Sequence, residues 1–172
     1  MNINIRKADR NDRHTITKLM KKFRDEYSNT GAHIKEVNDD STIDVTKRDI
    51  SRGIVYMILL DKQVIGCVDV EYRLNINTGE IVSTGEFITN LYIKSQYRNQ
   101  NIASLVRKQL ESYNVYGTNI TVQRLLQKKL YWLNQGYTHW AIDPREQRTD
   151  HHALIRITKY PDRNPEYLWD EI

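Results

Sequence analysis

Cysteine is nearly absent: Cys67 stands alone in 172 residues, which excludes a disulfide scaffold within the chain. Proline occurs three times, at Pro144, Pro161 and Pro165. No low-complexity segment and no internal repeat breaks the sequence. No apolar stretch approaches the roughly 20 residues of a membrane span. The first residues, MNINIRKADR, carry no apolar leader, and neither end resembles a lipidation or retention signal. With a single thiol, this predicts a cytoplasmic protein with no membrane partner. Hydrophobic residues make up 39% and mean hydropathy is −0.69, low for a globular domain but well above a disordered tail. A chain of this length is expected to be one domain over 1–172 with a core that needs no staples.

What the chain does have is tyrosine and modest positive charge. Eleven Tyr and three Trp outnumber two Phe, so most aromatics are suited to half-buried positions. The net charge of +4 comes from no polybasic run. The basic excess lies in the first third and again over 118–160, and the tail from Pro161 is acidic. That balance suits an anionic ligand, and solvated faces would give the same totals.

Periodicity divides the chain into elements. Ile3–Arg6 alternates as a short strand. Asp12 offers an N-cap to a helix with Ile16, Leu19, Met20, Phe23 and Tyr27 on one stripe. Residues 28–42 read as a polar loop and 43–52 as a short helix ending at Gly53. Ile54–Leu60 is a continuous apolar run, expected of a strand covered on both faces. Asp61-Lys62 turns it into Val64–Leu74, and another strand passes through Phe87–Ile93. A third helix carries Ile102, Leu105, Val106, Leu110 and Tyr113, and Ile120–Val122 is a short strand. A fourth helix runs from about Arg124 to Asn134, stopped by Gly136. A hairpin of Thr138–Ile142 and Ala153–Thr158 closes the chain. The order β-α-α-β-β-β-α-β-α-β-β predicts an α+β (mixed α/β) domain: a mixed sheet of about seven strands flanked by four helices.

The most informative stretch runs from Leu91 to Ala103. A strand enters a short polar loop, Lys94-Ser95-Gln96-Tyr97-Arg98-Asn99-Gln100-Asn101, and the loop opens a helix. Free N–H groups and the positive end of the helix dipole make such a start an anion site. Arg98 adds a charge there. An ordinary capped helix start, with Asn99 or Asn101 as the cap, is the plainer alternative.

Four landmarks in order resemble the GNAT superfamily of N-acetyltransferases. Ile5-Arg6-Lys7-Ala8 with Asp12 resembles the opening strand and turn. Val64-Ile65-Gly66 resembles the start of the third strand. Leu91-Tyr92-Ile93 through Arg98-x-x-Asn101-x-Ala103 resembles the R/Q-x-x-G-x-G/A acetyl-CoA motif. Leu130 to Gly136-Tyr137 resembles the helix that ends in a Gly-aromatic pair. The resemblance implies acetyl-CoA as co-substrate and no metal. Its pyrophosphate would meet Arg98, Asn99, Gln100, Asn101, Ile102 and Ala103. The pantetheine would extend the sheet along Leu91, Tyr92 and Ile93, with the thioester where the fourth and fifth strands splay. An amine would attack that thioester directly, which calls for a base, an oxyanion donor and an acid for the thiolate.

Three departures stand out. Asn101 occupies the place of the central glycine; Asn is the non-glycine residue that best tolerates positive φ. Trp132 occupies the place of the family's thiolate acid, a tyrosine, with Tyr131 one residue earlier. No Glu falls at the usual base positions of the fourth strand; Glu86 is slightly early, and Thr89 and Asn90 are nearer. The candidate catalytic residues are therefore Tyr131, Glu86 and Asn90. Two other readings stay open. One is a catalytically inactive GNAT-like domain that binds acyl-CoA or a macromolecule. The other is an acyltransferase acting on nucleic acid or charged tRNA, through a basic surface of Arg124, Lys128, Lys129, Arg145, Arg148, Arg156 and Lys159. The resemblance implies an amine acceptor, on a small molecule, a protein or an aminoacyl-type substrate, walled by loops 28–42 and 143–152, and a homodimer is allowed. Asp150-His151-His152 reads as exposed rather than metal-binding, and Cys67 as core.

Overall fold

The structure, a computed structural model, describes residues 2–28, 54–74, 81–113, 115–121, 130–142 and 154–159. The expected helix at 43–52, the polar loop before it and the loop 143–152 lie outside the described residues. Seven strands form one mixed sheet in the order β1-β2-β3-β4-β5-β7-β6. They are β1 (Ile3–Lys7), β2 (Ile54–Leu60), β3 (Gln63–Leu74), β4 (Ile81–Ile93), β5 (Gly117–Thr121), β6 (His139–Ile142) and β7 (Leu154–Thr158). The helices are α1 (Arg13–Ser28) and α2 (Ile102–Ser112), with a further helical segment at 130–134. By its contacts the chain divides into two compact units: Met1–Tyr72 with Asn90–Tyr113, and Arg73–Thr89 with Asn114–Ile172.

In the first unit, β2 pairs antiparallel with β1 and β3. Its apolar run is explained by cover on both faces. Val55 and Met57 join Ile16 and Leu19 of α1, together with Cys67 and Tyr92, in one buried cluster. Tyr56 points the other way and stacks on Tyr113 just beyond α2, with ring centroids 5.6 Å apart. Alternation along β2 thus places the two helices on opposite faces. Gln109 of α2 clips the edge strand by donating to Ile3 O (2.7 Å) and accepting from Ile5 N–H (3.0 Å). Asp61 and Lys62 both take positive φ, 46° and 77°, the geometry of a tight hairpin.

The β2–β3 register slips between Ile58 and Leu59: Ile58 faces Gly66 and Leu59 faces Val64, leaving Ile65 as the extra residue. At this bulge β4 comes very close. A Cβ on Gly66 would lie 2.2 Å from Tyr92 O and 3.1 Å from Ile93 Cα. Lys94 follows as β4 ends, its N–H on Ile65 O (2.9 Å) and its ammonium on Val64 O (2.6 Å).

Asp12 corrects the expected cap. A turn of 3-10 helix, Arg10–Asp12, precedes α1, and Asp9 caps it. The Asp12 carboxylate faces backward, accepting from Asp9 N–H (2.9 Å) and from both Nη atoms of Arg6 (2.6 and 2.7 Å). The turn moves the first free N–H groups upstream, so the capping oxygen must come from upstream too.

In the second unit β4 and β5 pair in parallel, Phe87 with Gly117 and Ile88 with Thr118. β7 lies between β5 and β6, antiparallel to both, so the last two strands are a hairpin as their pattern predicts. The helical residues 130–134 end as expected at Gly136, whose φ is +83°. Gly136 N–H bonds Leu133 O and Tyr137 N–H bonds Trp132 O, the paired pattern of a left-handed helix stop. That stop turns Tyr137 inward, fully buried with Ile155 and Ile157.

Candidate functional site

The loop between β4 and α2 carries the chemistry that the sequence marks. A 3-10 turn over Ser95–Tyr97 leads to Arg98 in extended conformation. Asn99 and Asn101 then take positive φ, 63° and 60°. Only glycine, or a short polar residue such as Asn, enters this region at small cost. Asn101 is the N-cap residue of α2, and its side chain makes no capping hydrogen bond. The first bond of the helix ladder runs from Leu105 N–H to Asn101 O (3.2 Å). The N–H groups ahead of Leu105 therefore have no acceptor inside the helix. An ordinary side-chain cap is ruled out for Asn101, and the left-handed turn that a glycine would make is made by asparagine.

Arg98 does not extend freely from this loop. Its Nε donates to Ile93 O (2.7 Å), its Nη2 donates to Glu26 of α1 (2.5 Å), and the guanidinium lies 5.4 Å from the centre of the Tyr92 ring. Tyr92 is buried, and its hydroxyl donates to the other Glu26 oxygen (3.0 Å). Phe23 meets the same ring edge-on at 5.9 Å. Partial burial raises the Glu26 carboxyl, but hydrogen bonds from Arg98 and Tyr92 and the charges of Arg98 and Lys22 outweigh it, leaving it below its ordinary value. Burial first, then the Glu26 hydrogen bond and charge, push the Tyr92 phenol up to about 12, so it remains a donor. Sequence reading singled out Arg98 and Tyr92 but not Glu26. No local signal marks a carboxylate 72 residues from its partner.

The candidate catalytic residues fall in different settings. Asn90 is half-buried on β4 and donates from Nδ2 to Asp69 Oδ2 of β3 (3.2 Å). Alternation puts Asn90 on the same face as Tyr92, and Asp69 on the same face as Cys67, which is the face α1 covers. Asp69 is a carboxylate that sequence reading missed, because nothing in β3 alone shows which β4 residue it faces. Glu86 lies within β4, and its side chain lies outside the described residues. Tyr131 is 38% exposed, edge-on to Trp132 at 5.1 Å. Trp132 turns inward, 5.2 Å from Tyr137 and packed against its cluster. Leu91 and Ala103 are half-buried, Tyr92, Ile93 and Ile102 are buried, and Asn99, Gln100 and Asn101 are exposed.

Part of the expected basic surface is not surface. Arg156 is only 6% exposed, its guanidinium 4.5 Å from the centre of Phe87, because β7 is an inner strand. Lys159 is half-buried with its ammonium 5.4 Å from the centre of Tyr137. Both cations lie over aromatic rings, an arrangement that desolvation strengthens. Arg124, Lys128, Lys129, Arg145 and Arg148, with Asp150-His151-His152, lie outside the described residues. Cys67 is fully buried as expected, and burial followed by the nearby Asp69 charge pushes its thiol up to about 12. Among the described residues no helix is long and apolar enough to cross a membrane.

No family model and no curated protein matches the chain, but solved structures do. An acetyltransferase from Thermus thermophilus is similar at a TM-score of 0.62 and 10% identity, over 91% of this chain and 96% of that one. An acetyltransferase of the GNAT family from Staphylococcus aureus is similar at a TM-score of 0.56 and 14% identity, over 92% and 99%. The PaiA N-acetyltransferase of Thermoplasma acidophilum, in complex with coenzyme A, is similar at 0.56 and 16%, over 93% and 100%. The fold is that of the GNAT acetyltransferases. At such low identities it is the fold that is shared, over nearly the whole of each chain.

Proposed function

We propose that this protein is an N-acetyltransferase that moves an acetyl group from acetyl-CoA to an amine in the cytoplasm. The observation that carries the reading is the loop between β4 and α2. Two left-handed asparagines and an uncapped helix start leave backbone N–H groups free of helical acceptors on a fold that is shared with acetyltransferases. That arrangement suits pyrophosphate, which needs several donors converging on one point rather than a single cation. Asn101 fits the role because it reaches the conformation and its amide spends no donor or acceptor on the helix end.

The acceptor is a small-molecule or protein amine. Its nitrogen attacks the thioester carbonyl, the acyl carbon–sulfur bond breaks, and coenzyme A leaves as thiol after taking up a proton. An alkylamine arrives protonated at neutral pH, so a base is needed to take its proton. Asp69 is the carboxylate we assign, held in place by the Asn90 amide. Asn90 has no basic atom of its own and serves as the orienting group. Tyr131 is exposed enough to give a proton to the thiolate.

Thermal-shift titration with acetyl-CoA tests binding, and a thiol-release assay over a panel of amines tests transfer. Stabilisation that grows with coenzyme concentration, followed by amine-dependent thiol release, is the expected result. A protein that acetyl-CoA neither stabilises nor encounters as substrate is not this enzyme. One observation favours a second reading, a GNAT-fold domain that binds acyl-CoA without transferring it. Trp132 fills the core where a thiolate acid would stand. The wild type separates the two: stabilisation by acetyl-CoA without any thiol release favours the binding domain, and in an active enzyme an unchanged maximal rate in Tyr131→Phe removes Tyr131 from the mechanism.

A further inference from the structure

We propose that Glu26 is a positioning residue for the coenzyme loop, holding Arg98 as a clamp so that the loop meets its anion through backbone N–H groups. This rests on the acetyl-CoA reading above and adds how the site is held. Arg98 is the one side-chain cation within 98–103, and intuition would give it to a phosphate. The geometry gives it elsewhere. Nε is spent on Ile93 O at the end of β4, Nη2 on Glu26, and one face on the Tyr92 ring. Glu26 is committed in turn, one oxygen to Arg98 and the other to the Tyr92 hydroxyl. The result is a closed set of contacts joining the end of α1, the end of β4 and the start of the loop.

Two physical points give the clamp its meaning. A carboxylate near an anion site repels the ligand unless its charge is balanced, and the paired guanidinium balances it. A planar fork held by Nε and Nη2 at once also fixes where its own backbone points, which a lone lysine contact would not. The two side chains are 41% and 39% exposed, so the pair contributes little to global stability. Its effect belongs on the loop.

Exposure also makes the proposal decidable, because the rival arrangement predicts the opposite sign. If Glu26 merely held Arg98 back from a phosphate, its removal would free the guanidinium and tighten coenzyme binding. If Glu26 positions the loop, its removal loosens binding. Isothermal titration of coenzyme A into wild type, Glu26→Ala, Glu26→Gln, Arg98→Ala and the double variant, with Tm measured on each, separates these outcomes. The expected result is an affinity about tenfold weaker in Glu26→Ala, the worth of one charge-assisted hydrogen bond. Glu26→Gln should recover part of that loss, since its amide oxygen still accepts one hydrogen bond. Glu26→Ala should cost little more in an Arg98→Ala background, and the Tm of Glu26→Ala should stay close to wild type. Unchanged or tighter binding in Glu26→Ala overturns the proposal. So does a loss of affinity that tracks a large fall in Tm, which would mark a structural role. Wild type that binds no coenzyme A sinks the acetyl-CoA reading itself, and the clamp with it.

Discussion

Replacing Gly66 with alanine tests the close approach of β3 to β4 at that residue. The new Cβ would lie 2.2 Å from Tyr92 O, 3.1 Å from Ile93 Cα and 3.2 Å from the Tyr92 carbonyl carbon. All three are backbone atoms of β4, so no side chain can swing away. Restoring an ordinary carbon–oxygen contact moves the strands apart locally by roughly an ångström. That displacement strains the Lys94 N–H to Ile65 O bond beside it. Overpacking of this kind costs about 1–3 kcal/mol, and a weakened hydrogen bond adds about 1 kcal/mol. At about 2–4 °C of Tm per kcal/mol for a chain this size, the expected fall is on the order of 5–15 °C. Calorimetry and urea unfolding measure it, with the urea midpoint moving at constant slope. Gly136→Ala is the internal comparison. Its Cβ meets only the Lys159 side chain, at 3.4 Å, and the cost there is conformational because φ is +83°, about 1–2 kcal/mol. A Gly66→Ala protein that melts within a degree of wild type would refute the close approach, as would a Gly136→Ala protein that melts lower than Gly66→Ala.

Three further predictions concern charge, the loop and the thiol. Hydrogen bonding from Arg6 leads the causes that hold the Asp12 carboxyl below its ordinary value, against the opposing effect of burial. A lowered folded-state value stabilises the protein above the ordinary carboxylate range and is lost as pH falls through and below it. Asp12→Asn should therefore lower Tm more at neutral pH than in acid; an equal loss at both would show that the charge is not what matters. Asn101→Gly should keep or tighten coenzyme A binding, since glycine enters the left-handed region freely, and Asn101→Asp should weaken it by setting a carboxylate beside phosphates. Equal affinities in titration would show that this loop is not the cradle. Cys67, fully buried and with its thiol pushed up to about 12, should resist an aromatic disulfide reagent in the native protein and react fully in denaturant. Prompt native reaction would contradict its burial.

How far the chain can be read without its structure varies with the range of the interactions. β2 matches its apolar run residue for residue, because cover on both faces leaves an unbroken pattern that needs no partner to be seen. β4 begins at Ile81, six residues ahead of the apolar signal at Phe87, since Ile-Val-Ser-Thr-Gly-Glu alternates poorly. β5 begins at Gly117 because Phe87 pairs with it, and a pairing across 30 positions leaves no trace in local composition. The left-handed turn at Asn101 was legible because the residue stands in the place of a motif glycine and asparagine tolerates positive φ. The fate of Arg98 was not, as its partners Glu26 and Tyr92 come from elsewhere in the chain. Arg156 misled for a related reason: a cation reads as surface until the strand order makes its strand an inner one. Asn90 was found and its meaning missed, because the carboxylate it holds lies on the neighbouring strand.

The inward turn of Trp132 has a use beyond its place in the core. All three tryptophans, Trp132, Trp140 and Trp169, fall in the second compact unit, and the first unit has none. Indole emission is therefore a private signal of one half of the chain. The first half speaks through tyrosines alone, among them Tyr56, Tyr92 and Tyr113. Red-edge excitation of indole follows the second unit alone; because Tyr116, Tyr131 and Tyr137 also lie in that unit, far-UV circular dichroism of the whole chain supplies the comparison curve in the same denaturant titration. Coincident curves would mean that the halves melt as a single cooperative body, and separated curves that one outlives the other.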